Sequence, residues 1–531
     1  MVYRGKPSRA CLECRVKRRK CDLSKPACGQ CVRAGSKCDG YRDQNSLTFQ
    51  DQTAQTLSKP QSFLRNNSRP VTLLHENQAV STTETTLCQQ GMVYQSKKEP
   101  DNDPWRRISI SPQDLALSFF FYHYLMSGSG SGTGPALSHP DCVSIMYTRA
   151  AEGGYLADLI NAVGVTSLAY VKNAPALTHV GARIYSGALR SMRVALADPI
   201  EASSDQMLVA VMLLVLYETV IWNADSNLSL WDRHMDGALA LVELRGMCQF
   251  RNRIGRSIFL NLRTRVLVNC LQRRLRVPET LTKWMNEFQE FEPKQEAPAG
   301  RLAGIIVSAC AVLASVQEKV LDGSNISGCV SALLFIDEAL NSWAKGLAAK
   351  YRYSKASSAT KIPGKDATDI FSDGQYRLYT GMDMVHTWNL QRCARITLRQ
   401  NLIEILSLLH IHLSSSSQPT LSYLPYNYEH LVQTSNTIIQ ENSSDICDSI
   451  PYILHYGNNK PGSTSGDSDM RAACILPLLW PLYVAGTAPT TTNTGREWII
   501  VQMRKIGDVT GIQRAKSMAL EIQKGMLPIA V

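Results

Sequence analysis

Long hydrophobic runs are scarce in this chain of 531 residues. The most apolar stretch, Met207 to Tyr217, covers eleven residues, whereas a helix that crosses a bilayer needs about 20. The N-terminus reads Met-Val-Tyr-Arg-Gly-Lys and has no apolar signal segment. We therefore expect neither a membrane span nor secretion, and we expect the run from Met207 to form a buried helix.

The motifs of common enzyme classes are also missing. No H-E-x-x-H metal site, G-x-S-x-G nucleophile turn or Walker-type phosphate loop occurs. His123, His139, His234 and His386 stand apart from other candidate catalytic groups, so we expect packing roles for them. The sequence therefore predicts that the protein is not an enzyme and has no catalytic residues.

Cysteine, in contrast, is concentrated near the N-terminus. Six thiols lie within 28 residues, and the second three repeat the spacing of the first three at an offset of seventeen: Cys11, Cys14, Cys21, Cys28, Cys31 and Cys38. A closed zinc site takes four ligands, so two zincs need eight sulfur contacts, and six thiolates supply eight only if two of them bridge. The spacing predicts a structural cluster of two Zn²⁺ ions held by these six cysteines.

The cysteine pattern has three alternative interpretations: a disulfide framework, a catalytic zinc site and chance spacing. A disulfide framework belongs to oxidising compartments. A catalytic zinc site keeps one coordination position open, whereas a doubly bridged thiolate cluster has none. Chance spacing is disfavoured, because this six-cysteine pattern is far more restrictive than a single C-x-x-C pair. The remaining nine cysteines show no chelating pairs, which is typical of buried thiols in a reducing compartment.

Positive charge is concentrated in the same segment. Residues 1–42 hold twelve Lys and Arg against three acids, which is +9 of the chain's formal charge of +11. Two Zn²⁺ against six thiolates subtract about 2 from that local charge, so the segment remains strongly basic. A small, rigid and basic module is typical of nucleic-acid binding.

These residues carry a resemblance to a known family. The run Cys11-Leu-Glu-Cys14-Arg-Val-Lys-Arg-Arg-Lys-Cys21-Asp22, followed by Lys25-Pro26-Ala-Cys28, resembles the fungal Zn2Cys6 binuclear cluster domain of sequence-specific transcription factors. The resemblance implies that Cys11 and Cys28 bridge the two metals and that the remaining four cysteines are terminal ligands. It also implies that the first helix points its C-terminal end into the major groove of duplex DNA.

The basic run supplies the candidate DNA contacts, which are Arg15, Lys17, Arg18, Arg19 and Lys20. The resemblance implies that Arg18 reads a base edge, usually within a CGG triplet. Family members more often carry Lys there, but Arg can form the same bidentate pair with guanine O6 and N7. Lys17 and Lys20 are expected at bases or phosphates, and Arg15 and Arg19 at phosphates, which position the protein without specifying a sequence.

The sequence predicts three regions and a mainly α fold: the Zn2Cys6 module at 8–42, a disordered polar linker at 43–104 and a large all-α domain at 105–531. The linker shows no apolar heptads, so no coiled coil is expected there. The sequence does not decide whether the protein forms a homodimer. Ser111 with Pro112 predicts a helix start. Further helices are expected in the last region, among them Ser257–Arg274, Tyr376–Leu413 and Arg496–Ile522.

A weaker resemblance covers residues from about 105 to 525. Trp231 to Ala238, Ser449 to Tyr452 and Trp480 to Tyr483 resemble landmarks of the fungus-specific regulatory domain that commonly follows a Zn2Cys6 module. Together the resemblances imply a nuclear regulator of RNA polymerase II genes, acting in a metabolic pathway or a secondary-metabolite gene cluster. Its expected partners are double-stranded DNA and the transcription machinery or co-regulators. The alternative is a helical enzyme or scaffold that the zinc module delivers to chromatin.

Overall fold

The computed structural model describes residues 10–17, 19–38, 111–125, 143, 146–147, 154–222, 227–292, 297–322, 326–357, 375–415, 428–456 and 471–525. The chain forms two compact units, Met1–Pro100 and Asp101–Val531. The predicted linker at 43–104 lies outside the described residues. In the first unit the described helices are α1 (Leu12–Val16) and α2 (Gly29–Arg33).

The second unit is helical almost throughout its described residues, which confirms the mainly α prediction. Its helices are α3 (Pro112–Tyr124), α4 (Tyr155–Val171), α5 (Pro175–Ala195), α6 (Pro199–Ala202), α7 (Asp205–Ile221), α8 (Asn227–Arg245), α9 (Arg253–Arg273), α10 (Glu279–Phe288), α11 (Ala297–Asp322), α12 (Ile326–Lys345), α13 (Met382–Ser415), α14 (Tyr428–Cys447), α15 (Ile450–Tyr456), α16 (Ala472–Ile475), α17 (Leu479–Thr487), α18 (Asn493–Thr510) and α19 (Gln513–Gln523). A two-stranded antiparallel sheet joins β1 (Ser354–Ser357) to β2 (Gln375–Leu378).

Side-chain caps explain where several helices begin. Ser111 caps α3 by accepting a hydrogen bond from the Asp114 amide at 3.0 Å, with Pro112 in the first turn, as predicted from the sequence. Ser204 caps α7 in the same way through the amide of Met207, at 3.1 Å. Because a cap satisfies an amide that the helix itself leaves without a partner, each capping residue fixes its helix start.

Helix α7 lies at the centre of the second unit. Every residue from Met207 to Tyr217 is buried, which confirms the buried helix expected for this run. It packs against α4, α8, α9 and α19. A helix that is apolar on all sides must be surrounded by other helices, and the rest of the unit is arranged accordingly.

Buried charge joins the later helices. Asp337 of α12 is 2% exposed and binds Arg395 of α13 through two hydrogen bonds of 2.9 and 3.1 Å, and it also pairs with Arg399 one turn further on. Although burial alone would raise the pKa of Asp337, the two guanidinium groups hold it below its ordinary value. The ion pairs therefore fix α12 against α13 through a desolvated carboxylate.

Two predicted helices are corrected by the structure. The helix expected over Tyr376–Leu413 begins at Met382, because its first residues form β2, where the Arg377 amide donates to the Asp448 carbonyl at 3.0 Å. The helix expected over Arg496–Ile522 is divided at Gly511, which has a φ of +77° and ends α18. A Cβ on Gly511 would lie 2.3 Å from the carbonyl oxygen of Ser167, so glycine alone fits this break.

One helix meets the length and composition of a membrane span, although no span was expected from the sequence. Ala297–Glu318 has a mean hydropathy of 1.9, and 44% of its most apolar window is buried. Leu302, Ile306 and Leu313 lie in the main core with 0–1% exposure. A core helix of a soluble protein meets the same criterion, and these three side chains are packed in the core.

Candidate metal centre and nucleic-acid interface

The cysteine repeat folds as a structural repeat. Helices α1 and α2 each have five residues and start seventeen residues apart, the same offset that relates the two halves of the cysteine pattern. Each helix directly follows the first cysteine of its half, Cys11 or Cys28. The Cys28 sulfur caps α2 by accepting a hydrogen bond from the Cys31 amide at 3.3 Å. The local fold thus brings the first two thiols of each half to one helix start.

The six sulfurs come together as two overlapping groups of four. The first group is Cys11, Cys14, Cys21 and Cys28, and the second is Cys11, Cys28, Cys31 and Cys38; within each group all sulfurs lie within 4.8 Å of one another. The Cys11 and Cys28 sulfurs, which belong to both groups, are 3.6 Å apart. Six thiols that form two four-sulfur groups with two shared members match the count that two tetrahedral zinc ions require.

The chemistry of this donor set also fits zinc. Cys11, Cys14, Cys28 and Cys31 are at most 3% exposed, and Cys21 and Cys38 are partly exposed. Burial, together with hydrogen bonds to Cys11 and Cys28, raises the pKa of the Cys14 thiol to about 12. Backbone hydrogen bonds from Cys11 and Leu23 instead lower the pKa of Cys21 to about 7. Bound zinc would supply the positive charge that lets such crowded sulfurs exist as thiolates.

Asp22 connects the two halves of the module. Its carboxylate accepts hydrogen bonds from the Gly29 amide at the start of α2, at 3.1 and 2.9 Å, and from the Ser24 amide at 3.4 Å. A Cβ on Gly29 would lie 2.5 Å from Asp22 Oδ2, so a larger residue at this position would displace the carboxylate. Between them Leu23 adopts a left-handed φ of +60°. The carboxylate therefore holds the second helix against the chain that leaves the first half.

The structure describes the side chains of three of the five predicted DNA contacts. Lys17, Arg19 and Lys20 are exposed at the C-terminal end of α1. The Arg19 amide donates to the Cys14 carbonyl at 2.8 Å, which ties the basic run to the cysteine cluster. Arg18 and the side chain of Arg15 lie outside the described residues. The described part of the run therefore presents positive charge to solvent beside the cluster.

Two functional contacts of the module were not expected from the sequence. Glu13 pairs with Lys17 at 3.1 Å across one turn of α1, and Asp22 binds the Gly29 amide. The four-residue spacing of Glu13 and Lys17 is the sequence signal for the first pair. The contact between Asp22 and Gly29 crosses seven residues with no regular structure, so no spacing rule predicts it.

Comparison with known proteins gives two family matches. Residues 9–47 match the fungal Zn(2)-Cys(6) binuclear cluster domain, and residues 143–272 match the fungal specific transcription factor domain. A similar curated protein is the Aspercryptin biosynthesis cluster-specific transcription regulator atnN of Emericella nidulans, 34% identical over 84 residues. That alignment covers 16% of this chain and 13% of the relative, so the similarity concerns a small part of both proteins. No solved structure matches.

The matched domains define a class of fungal proteins that join a binuclear zinc cluster to a helical transcription factor domain. Residues 9–47 and 143–272 of this chain match these two domains, which confirms the resemblance over those segments, and the cofactor of the cluster domain is zinc, two ions per domain. Both matched families are transcription factor families and not enzyme families. The second match includes Trp231 to Ala238 on α8 but ends before the other two landmark segments. Ser449 to Tyr452 begins after α14 and continues into α15, and Trp480 to Tyr483 lies in α17.

Proposed function

We propose that the protein is a nuclear, sequence-specific DNA-binding regulator of genes transcribed by RNA polymerase II. The observation that carries the proposal is the pair of four-sulfur groups that share Cys11 and Cys28, directly beside an exposed basic run. A closed all-thiolate cluster offers no position for substrate. Its use is to hold a short helix rigidly, and the charge on that helix suits a polyanion.

In this proposal Cys11 and Cys28 each bind both metals. Cys14 and Cys21 complete the first site, and Cys31 and Cys38 complete the second, in agreement with the two sulfur groups. The three regions at 8–42, 43–104 and 105–531 then act as the DNA-binding module, a linker and a helical regulatory domain. The contact of Asp22 with Gly29 stabilises the module from outside the metal sites.

Base reading is assigned to Arg18, through a bidentate pair with guanine in a CGG-like triplet. Arg15, Lys17, Arg19 and Lys20 contact phosphates or neighbouring bases and set the register of α1 on the duplex. The exposure of Lys17, Arg19 and Lys20 at the end of α1 supports this assignment, because a helix entering the major groove would present these residues to DNA.

A proposal for the class of target genes is supported by the relative in Emericella nidulans, whose name describes a regulator specific to one biosynthesis cluster. We propose that this protein likewise controls a secondary-metabolite gene cluster, with duplex DNA and transcriptional co-regulators as partners.

The test is selection of bound duplexes from a random pool with the full-length protein, followed by affinity measurements on the selected site. Arg18→Ala should weaken binding to that site by about 1–3 kcal/mol and relax the preference at one base position. Lys20→Ala should weaken binding to all duplexes about equally and reduce the salt dependence. Failure to enrich any sequence would contradict sequence-specific binding, and unchanged preference in Arg18→Ala would assign Arg18 to the DNA backbone.

A further inference from the structure

The ion pair on α1 bears directly on DNA binding. Glu13 and Lys17 lie one turn apart, and the Lys17 amide donates to the Glu13 carbonyl at 3.0 Å, which places both side chains on one face of the helix. The Lys17 ammonium lies 3.1 Å from Glu13 Oε2. Glu N-terminal to Lys at this spacing is the favourable order for such a pair in a helix.

Lys17 supplies the positive charge beside the Glu13 carboxylate. Glu13 Oε2 is buried and accepts no hydrogen bond from any residue that the structure describes. The side chain of Glu13 is 33% exposed and that of Lys17 is 46% exposed, so the ion pair is in contact with solvent. The Lys17 ammonium group, 3.1 Å away, compensates the charge of this oxygen.

We infer that Glu13 holds the Lys17 ammonium in the free protein and thereby lowers the affinity of the module for DNA phosphates. This inference rests on the proposed DNA-binding function and concerns the same surface. A lysine that neutralises a phosphate releases counterions from the DNA, whereas a lysine that already neutralises a carboxylate contributes less to binding. Glu13 is thus an affinity-setting residue that acts through Lys17 without touching DNA.

The effect is uniform across sequences. Phosphates carry no sequence information, so release of Lys17 raises binding to every duplex by the same factor and leaves the discrimination by Arg18 unchanged. The pair by itself contributes little to folding, because partly exposed ion pairs stabilise proteins by only about 0–1 kcal/mol. Glu13→Gln therefore leaves the module folded while it changes the charge available to DNA.

The test is a double-mutant cycle on the full-length, zinc-loaded protein. Wild type, Glu13→Gln, Lys17→Gln and the double variant are titrated with a duplex of unselected sequence at several salt concentrations. Glu13→Gln should steepen the slope of log K against log salt by about 0.9, the value of one added phosphate contact, which corresponds to an additional loss of about 3.5-fold in affinity between 50 and 200 mM salt. In the Lys17→Gln background the same substitution should leave the slope unchanged.

Two controls separate the possible failures. Glu497→Gln, at an exposed position of α18, makes the same change in net charge within the helical unit and should leave the slope unchanged. The zinc content of every variant verifies that the module is loaded. If Glu13→Gln changes the slope equally with and without Lys17, the acid acts as a simple repulsive charge and the inference is wrong. If wild type binds no duplex at all, the proposed function itself fails.

Discussion

Replacement of Asp22 by alanine should weaken zinc binding without touching a metal ligand. The carboxylate accepts two short contacts from the Gly29 amide and a longer one from the Ser24 amide. A hydrogen bond to a charged group contributes about 1.5–3 kcal/mol to stability. Because Asp22 is exposed and water competes for its carboxylate, we take about 1–2 kcal/mol for its hydrogen bonds to Gly29 and Ser24 together.

The small module has too little apolar material for a core of its own, so metal binding supplies most of its folding free energy. A loss of about 1–2 kcal/mol should therefore appear as roughly 5- to 30-fold weaker zinc binding. Asp22→Asn, which keeps one acceptor oxygen but loses the charge, should fall between wild type and Asp22→Ala.

The assay is competition for zinc between the intact protein and a chromophoric chelator at fixed pH. Ser36→Ala is a matched control, because Ser36 makes a single 3.4 Å contact to the Ala34 carbonyl within the same module. We expect its zinc affinity to equal that of wild type. An Asp22→Ala protein that holds zinc within twofold of wild type would refute the argument that this carboxylate supports the second metal site.

Three further predictions concern the helical unit and are measured by urea or pH titration of its circular dichroism. Asp337→Ala leaves the buried guanidinium group of Arg399 and the partly buried one of Arg395 without their carboxylate and should cost about 3–5 kcal/mol of unfolding free energy, whereas Asp236→Ala at an exposed position should cost less than about 0.5 kcal/mol. Gly511→Ala should destabilise by about 1–3 kcal/mol because of its positive φ and close contact, whereas Gly304→Ala, with open space at its Cβ, should be neutral or stabilise by up to about 1 kcal/mol. Burial lowers the pKa of His386 to about 4 from an ordinary 6.5, so the unfolded chain binds a proton at a higher pH than the folded protein does. The free energy of unfolding should therefore fall as the pH drops from about 6.5 toward 4. His386→Gln should flatten this fall, and a variant with the same pH profile as wild type would contradict the prediction.

The cluster and the helical class could be predicted because their determinants are local. Cysteine spacing fixes which thiols can share a metal, and a continuous apolar run such as Met207 to Tyr217 demands burial whatever surrounds it. The Ser111 cap is likewise decided within four residues of sequence. Each of these features depends on neighbours in the chain, which the sequence displays directly.

The features that were missed depend on distant partners. Arg377 lies in a strand because β2 pairs with β1, where Lys355 is its partner, and its amide also meets the Asp448 carbonyl 71 positions later. No periodicity in the chain signals these contacts. Gly511 ends a helix because its backbone lies against Ser167, on a different helix. In the metal module, the contact of Asp22 with Gly29 depends on the path that the chain takes around the sulfurs. Contacts between residues distant in the sequence therefore determine the strand at Arg377, the helix end at Gly511 and the position of Asp22.

The central claim is that two zinc ions share six sulfurs at the N-terminal module, and metal counting by native mass spectrometry of the purified full-length protein tests it most directly. We predict two zinc ions per chain in wild type and loss of both in Cys11→Ser, because that sulfur belongs to both four-sulfur groups. A wild-type protein that folds with one zinc or none, or a Cys11→Ser variant that retains both ions, would contradict the claim.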